Sequence, residues 1–174
     1  MFEASDLEKL VAMYGSFEPK GEFQGLPPVT LAQTRAWLSQ HMTPGNVHFV
    51  VALGSRIVGH AMLCPGPEQN EAELAIFLHQ DVRGRGLGRK LLLGALHHGC
   101  KEMQLARVWL SVQGSNPTAL CLFESAGFKS RKPEDAWQWE LDMERPSSCA
   151  KCKGKKCAVY STMLPLRVPV TLRG

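Results

Sequence analysis

The run DVRGRGLGRK, residues 81–90, constrains this chain more than any other. It sets Gly84, Gly86 and Gly88 among Arg83, Arg85 and Arg89, directly after an apolar strand-like stretch and directly before a leucine-rich one. A Walker A loop needs Gly-Lys-Ser/Thr at its end, which Arg89-Lys90-Leu91 does not supply. A dinucleotide fingerprint needs G-x-G-x-x-G, and the spacing here is G-x-G-x-G. What remains is a strand, then Arg83-x-x-Gly86-x-Gly88, then a helix beginning near Gly86. Glycines there let the unpaired N–H groups of the first helical turn approach a ligand with no Cβ in the way. The helix dipole and three guanidinium groups add positive field, so the stretch suits a pyrophosphate. The competing reading is a tight turn with solvated arginines, since short glycine motifs recur by chance.

The flanking sequence alternates helical and strand periods. Ser5 and Glu8 have capping-box spacing, which predicts a helix over 6–14 with Leu7, Leu10, Val11 and Tyr14 on one face. Residues 16–28, with three prolines and two glycines, read as a shaped loop, and 30–42 as a second helix carrying Leu31, Thr34, Trp37, Leu38 and His41 at helical spacing. The apolar runs 47–53 and 57–63, joined by Gly54, Ser55 and Arg56, predict a hairpin. Residues 71–79 predict a strand with Leu74, Ile76 and Leu78 on one face and Glu71, Glu73, Ala75, Phe77 and His79 on the other, able to line a site while anchoring a core. Leu87, Leu91, Ala95 and Leu96 form a helical stripe with Gly99 as its C-cap, and a strand follows at 107–112. Asn116 and Pro117 open a helix that Gly127 closes, and 136–143 alternates as a strand. The expected fold is α/β (α+β), a mixed sheet flanked by helices over residues 1–143, with a tail over 144–174.

A chain of 174 residues buries roughly 70% of its unfolded surface as one domain, and 44% hydrophobic content suits a soluble protein. No run approaches the ~18 apolar residues of a membrane span, and the acidic N-terminus MFEASDLEKL lacks a signal-peptide pattern, so the expectation is a cytoplasmic protein without a membrane partner. Residues 145–174 carry seven basic and no acidic groups, leaving 13 minus 16, or −3, on residues 1–144. No nucleic-acid partner is therefore expected of the main domain. Cys64, Cys100 and Cys121 stand singly in apolar contexts and read as reduced, buried thiols. Cys149, Cys152 and Cys157 cluster in the tail, but no nearby histidine completes a tetrahedral zinc site, so no metal is expected there.

Glu73 to His79, VRGRGLGRKLL, the strand RVWLSV and SNPTALCLFESAGF together resemble the GNAT superfamily of acyl-CoA-dependent N-acyltransferases, specifically over 72–128. The resemblance implies a mixed, mostly antiparallel central sheet flanked by helices, and acetyl-CoA as cosubstrate. It implies that the main chain of Arg83, Gly84, Arg85, Gly86, Leu87, Gly88 and Arg89 holds the CoA pyrophosphate. Phe77, Leu78 and His79 would pair with the pantetheine arm, and Asn116 and Phe123 would lie beside the arm and the sulfur. Two positions depart from family habits. Phe123 stands where many members place a tyrosine acid, and Ser111 where the ribosomal-protein acetyltransferases place a glutamate base.

The implied reaction needs an unprotonated amine, and an amine of pKa ~10.4 is almost wholly protonated at neutral pH, so a base or water path is required. Glu73 is the first candidate and His79 the second. His48, His60, His97 and His98 lie in apolar elements or at helix ends and read as packing. Glu18 and Glu22 in the proline-bearing loop are suited to attract a cationic amine. The expected function is acetyl transfer from acetyl-CoA to a primary amine of a small molecule or protein by direct attack in a ternary complex, with a homodimer left open. The rival is a non-catalytic acyl-CoA-binding module, motivated by Phe123 and Ser111.

Overall fold

Seven successive positions, Ile57 to Leu63, are buried, which requires that both faces of their strand be covered, and this is how the chain is built. The computed structural model describes residues 4–22, 25–131 and 138–144. The elements are α1 (Ala4–Gly15), α2 (Leu31–His41), β1 (Val47–Leu53), β2 (Arg56–Pro65), β3 (Glu71–Leu78), a 3₁₀ turn (Gln80–Val82), α3 (Leu87–Lys101), β4 (Arg107–Gln113), α4 (Pro117–Ala126), β5 (Lys129–Arg131) and β6 (Gln138–Glu144). The six strands form one sheet in the order β1-β2-β3-β4-β6-β5, antiparallel except where β3 meets β4.

Two cores sandwich the sheet. On one face Leu91, Leu92, Leu110 and Leu141 are at most 1% exposed and pack with Phe123 and Phe128, under α3 and α4. Each such leucine contributes about 1.5–3 kcal/mol relative to exposure. On the other face α1 and α2 press Leu10, Tyr14 and Leu38, with Phe17 of the following loop, onto Val50, Ile57 and Phe77. This second cover stops short of β4. There Val108, Leu110 and Val112 are buried, whereas Arg107, Trp109, Ser111 and Gln113 stay half-exposed. The sheet is thus closed on one face and half open on the other.

Local expectations shift in three places. The first helix begins at Ala4, so Ser5 lies inside it; the capping box is made by Thr30 and Gln33 at the start of α2. Gly99 does not end α3, which runs on to Lys101. A Cβ at Gly99 would lie 3.0 Å from Leu105 Cδ1 and 3.4 Å from Leu63 Cδ1, so close packing explains the glycine. The three-residue β5 was not foreseen, since Lys129-Ser130-Arg131 carries no apolar period. Cys149, Cys152 and Cys157 and the rest of the tail lie outside the described residues, among which no group of side chains is arranged to hold a metal. No helix of the described residues is long and apolar enough to cross a membrane.

Candidate functional site

β3 and β4 run parallel but pair only through Glu71–Arg107, Ala72–Val108 and Glu73–Trp109. Beyond Glu73 they part, while β3 stays on β2 through Leu78 and β4 stays on β6 through Gln113. A wedge-shaped gap opens between them. His79 donates its N–H to the Val58 carbonyl (2.9 Å). Antiparallel alternation then turns the main-chain groups of odd-numbered β3 residues toward β2 and those of Ile76 and Leu78 into the gap. The Leu78 carbonyl accordingly accepts from Arg83 Nε (3.0 Å). The other main-chain groups of that row face the gap as a strand edge faces a missing strand.

The wedge leads to the glycine–arginine turn. The Val82 and Arg83 N–H groups donate to the carbonyls of His79 and Gln80 (3.1 and 3.3 Å), closing the 3₁₀ turn. Gly84 and Gly86 then take φ of 74° and 73°, the left-handed region, and a Cβ on either would meet nothing within 4 Å. The first intrahelical bond of α3 runs from the Lys90 N–H to the Gly86 carbonyl (3.2 Å), so the N–H groups of Leu87, Gly88 and Arg89 have no partner within the helix. Leu87 points its side chain into the core, and a Cβ on Gly88 would lie 3.6 Å from Leu122 and Leu78, so the helix start sits against its neighbours. Unpaired amides, a dipole and two open glycines make an anion cradle at this end. Arg85 and Arg89 are exposed beside it; Arg89 Nη1 donates to Ser125 Oγ (2.8 Å). Arg83 is tied elsewhere, its Nη2 donating to the Glu18 carbonyl (2.7 Å) and its guanidinium lying 5.3 Å from the Phe17 ring centre.

Glu73 sits at the crotch of the wedge, on the half-open face, beside Cys64 and Trp109 in the register. Burial pushes its carboxyl above the ordinary range, and His41 partly offsets this. Among the described residues it makes no hydrogen bond or ion pair. Burial, and secondarily the Glu73 charge, pushes the Cys64 thiol up to about 11, which leaves it an un-ionised neighbour rather than a nucleophile.

The other sequence-predicted residues are placed as follows. His79 is 3% exposed, its Nδ1 accepting from the Asp81 N–H (3.4 Å) and its Nε2 facing Ser16 Oγ (3.1 Å). Phe77 packs edge-on to Tyr14 and Trp37 (5.5 and 5.9 Å). Asn116 spends its side-chain oxygen capping α4 at the Ala119 N–H (3.1 Å). Phe123 is core, edge-on to Phe128 (5.8 Å). Residues 16–22 cross the mouth of the wedge: Gln80 joins them at Ser16 and Glu18, and the Gln113 side chain donates to the Glu22 carbonyl.

One feature escaped sequence reasoning entirely. Tyr14 hydroxyl meets His60 Nδ1 (2.7 Å), His60 Nε2 meets His48 Nδ1 (3.0 Å), and His48 Nε2 meets the His41 carbonyl (2.9 Å). A carbonyl only accepts, so His48 donates from Nε2 and, if neutral, accepts at Nδ1. His60 must then donate from Nε2 and accept from Tyr14. Burial chiefly lowers the pKa values of both imidazoles, disfavouring their charged forms, and likewise raises that of Tyr14. Hairpin register, which brings His48 against Met62 one step from His60, is the signal that would have found it.

The profile of the Acetyltransferase (GNAT) family matches residues 9–128, more than half of the chain. The chain belongs to that family. As a GNAT acetyltransferase it has relatives of the same fold. The GNAT-family acetyltransferase of Bacillus anthracis is 19% identical, with a TM-score of 0.66 over 83% of this chain and 92% of that one. The spermidine N-acetyltransferase of Vibrio cholerae, solved with CoA and spermine, is 18% identical, with a TM-score of 0.68 over 84% and 94%. A GNAT-family acetyltransferase of Streptococcus pneumoniae is 20% identical, with a TM-score of 0.62 over 82% and 96%. No curated protein matches. Membership of this family makes the chain an acetyltransferase.

Proposed function

We propose that this acetyltransferase moves acetyl from acetyl-CoA to a primary amine of a small molecule or protein, by direct attack with both substrates bound. The observation that carries the reading is the wedge between β3 and β4, with a main-chain row that no neighbouring strand pairs running into the glycine turn. The residues present fit the thioester carrier: the row at Ile76 and Leu78 suits an amide-bearing arm, and the α3 amides suit a diphosphate, with Arg85 and Arg89 alongside. Support for an amine acceptor comes from the Vibrio cholerae neighbour, solved with CoA and spermine.

In this reading Glu73 takes the proton of the incoming ammonium, directly or through one water, for which a raised carboxyl pKa is suited. The amine nitrogen bonds to the carbonyl carbon, an Ile76 or Leu78 N–H holds the developing oxyanion, the carbon–sulfur bond breaks, and the nitrogen gives up its second proton to the departing thiolate or to water. Thiolate departs without a side-chain acid, since a thiol pKa of ~8.5 makes it a fair leaving group and Phe123 has no proton to give. His79, buried and spent on its turn, contributes its main chain. The test is thiol release from acetyl-CoA with 1,4-diaminobutane, benzylamine and a lysine-containing peptide as acceptor probes. Amine-dependent release is expected with at least one; none with any, despite CoA binding, would overturn the reading.

A further inference from the structure

The cofactor turn and residues 16–22 share one set of hydrogen bonds. Arg83 reaches back from the turn to two carbonyls, Leu78 at the end of β3 (3.0 Å) and Glu18 in the loop (2.7 Å), with Phe17 beneath its plane. Gln80 makes a reciprocal pair, accepting from the Glu18 N–H (3.0 Å) and donating to the Ser16 carbonyl (2.7 Å). Lys20 Nζ fastens the same loop to the Gly15 carbonyl (2.6 Å). At the other side of the gap, Gln113 holds the Glu22 carbonyl. The loop therefore spans the half-open face where β3 and β4 have parted, with Glu18 and Glu22 on it, and an amine reaching Glu73 from that face passes beside it.

We infer that the Arg83 side chain is a positioning residue for this acceptor-side loop and does not serve the diphosphate, whose charge is met by Arg85 and Arg89. The inference rests on the proposed function for what lies on either side of the loop. Its ground is an accounting of donors. To turn toward the α3 amides, the guanidinium would have to release both carbonyls and the Phe17 face, and the Leu78 carbonyl would be left unpaired inside the gap. Among the described residues Arg85 makes no hydrogen bond or ion pair, and Arg89 gives up only a serine hydroxyl. A planar fork can bridge two carbonyls in a fixed geometry, which a single ammonium cannot.

The test compares Arg83→Gln, Arg83→Lys and Gln80→Ala with Arg85→Gln and Arg89→Gln in the full chain. CoA affinity is measured by calorimetry, kcat and KM with the best of the three acceptor probes, and amide hydrogen exchange over 16–22. The first three variants are expected to raise the amine KM about tenfold, the scale of one hydrogen bond. Their CoA dissociation constants should stay within about twofold, and loop amides should lose protection. Arg83→Lys should behave like Arg83→Gln, because the fork and not the charge is used. Arg85→Gln and Arg89→Gln should show the reverse pattern. Weakened CoA binding by Arg83→Gln and Arg83→Lys, with amine KM and loop exchange unchanged, overturns the inference, and Gln80→Ala decides the matter if neither folds. Failure of the unmodified chain to bind CoA would instead sink the reading of the wedge, while exchange would still report whether Arg83 holds the loop.

Discussion

The Tyr14–His60–His48 chain makes a quantitative prediction about acid. His60 is fully buried and its pKa is held well below 6.5, by burial first and then by His48 and His41. In the unfolded chain it titrates near 6.5, so below that pH the unfolded state binds a proton the folded state refuses. The stability that His60 permits is present above pH ~6.5 and is lost as pH falls below it. At pH 5.5 one imidazole that stays neutral in the fold costs about 1.4 kcal/mol, from RT ln(1 + 10). His48, shifted in the same direction, adds up to as much again. His60→Gln retains one acceptor for the Tyr14 hydroxyl and one donor for His48 Nδ1 but cannot titrate. The assay is urea unfolding of both proteins at pH 7.5 and 5.5. The loss on acidification should be smaller in the variant by about 1.4 kcal/mol, a midpoint difference of roughly 0.5–1.4 M. Other groups facing this region cancel in the comparison. Glu73, with its raised pKa, gains stability as pH falls, and His98, lowered by burial, behaves alike in both proteins. Identical acid sensitivity of the two would refute the neutral, one-directional chain.

Gly86→Ala should cost about 1–2 kcal/mol through its left-handed φ alone, because no atom lies near its added methyl. Gly86→Glu puts a carboxylate beside the α3 amides and should abolish acetyl-CoA binding in titration calorimetry; retained affinity would argue against the anion cradle. Glu73→Gln should lower kcat by about 10²-fold or more while sparing CoA affinity, and should remove an acidic limb lying above the ordinary carboxylate range. An unaltered pH–rate profile would exclude Glu73 as the base. Gly99→Ala, whose methyl would press on Leu105 at 3.0 Å, should cost about 1–3 kcal/mol and lower Tm by roughly 3–10 °C by calorimetry.

What was legible in the sequence was whatever a local pattern decides. The hairpin of β1 and β2, the cap at Asn116 and the left-handed close at Gly127 (φ 104°) follow from apolar period and punctuation. Gly99 misled because a glycine that ends a helix and one that admits a neighbouring leucine look alike in one dimension. The parting of β3 and β4 is a property of two strands some thirty positions apart, each satisfied on its outer side, and no local pattern records it. Arg83 was legible as a cation near a glycine turn, but its partners, Glu18 and Leu78, come from two separate segments. His48 and His60 were correctly placed in the core, yet their order of donation depends on the fixed His41 carbonyl at the end of α2.

Phe123 and Ser111 leave the proposed site without the acid and the base that some relatives place there, and the half-open sheet accounts for how transfer can proceed nonetheless. The face under α3 and α4 is a rigid core in which Phe123 is 4% exposed, so a hydroxyl there would need a buried partner. The other face carries Glu73 at the crotch of the wedge, and burial raises the pKa of its carboxyl toward that of a working base. Holding amine and thioester together supplies up to ~7–11 kcal/mol of the barrier when the geometry is tight. In the proposed mechanism the catalytic demand therefore falls on placement, by the main-chain row on one side and the loop tied by Arg83 and Gln80 on the other. Loosening that loop should cost the acceptor before it costs the cofactor.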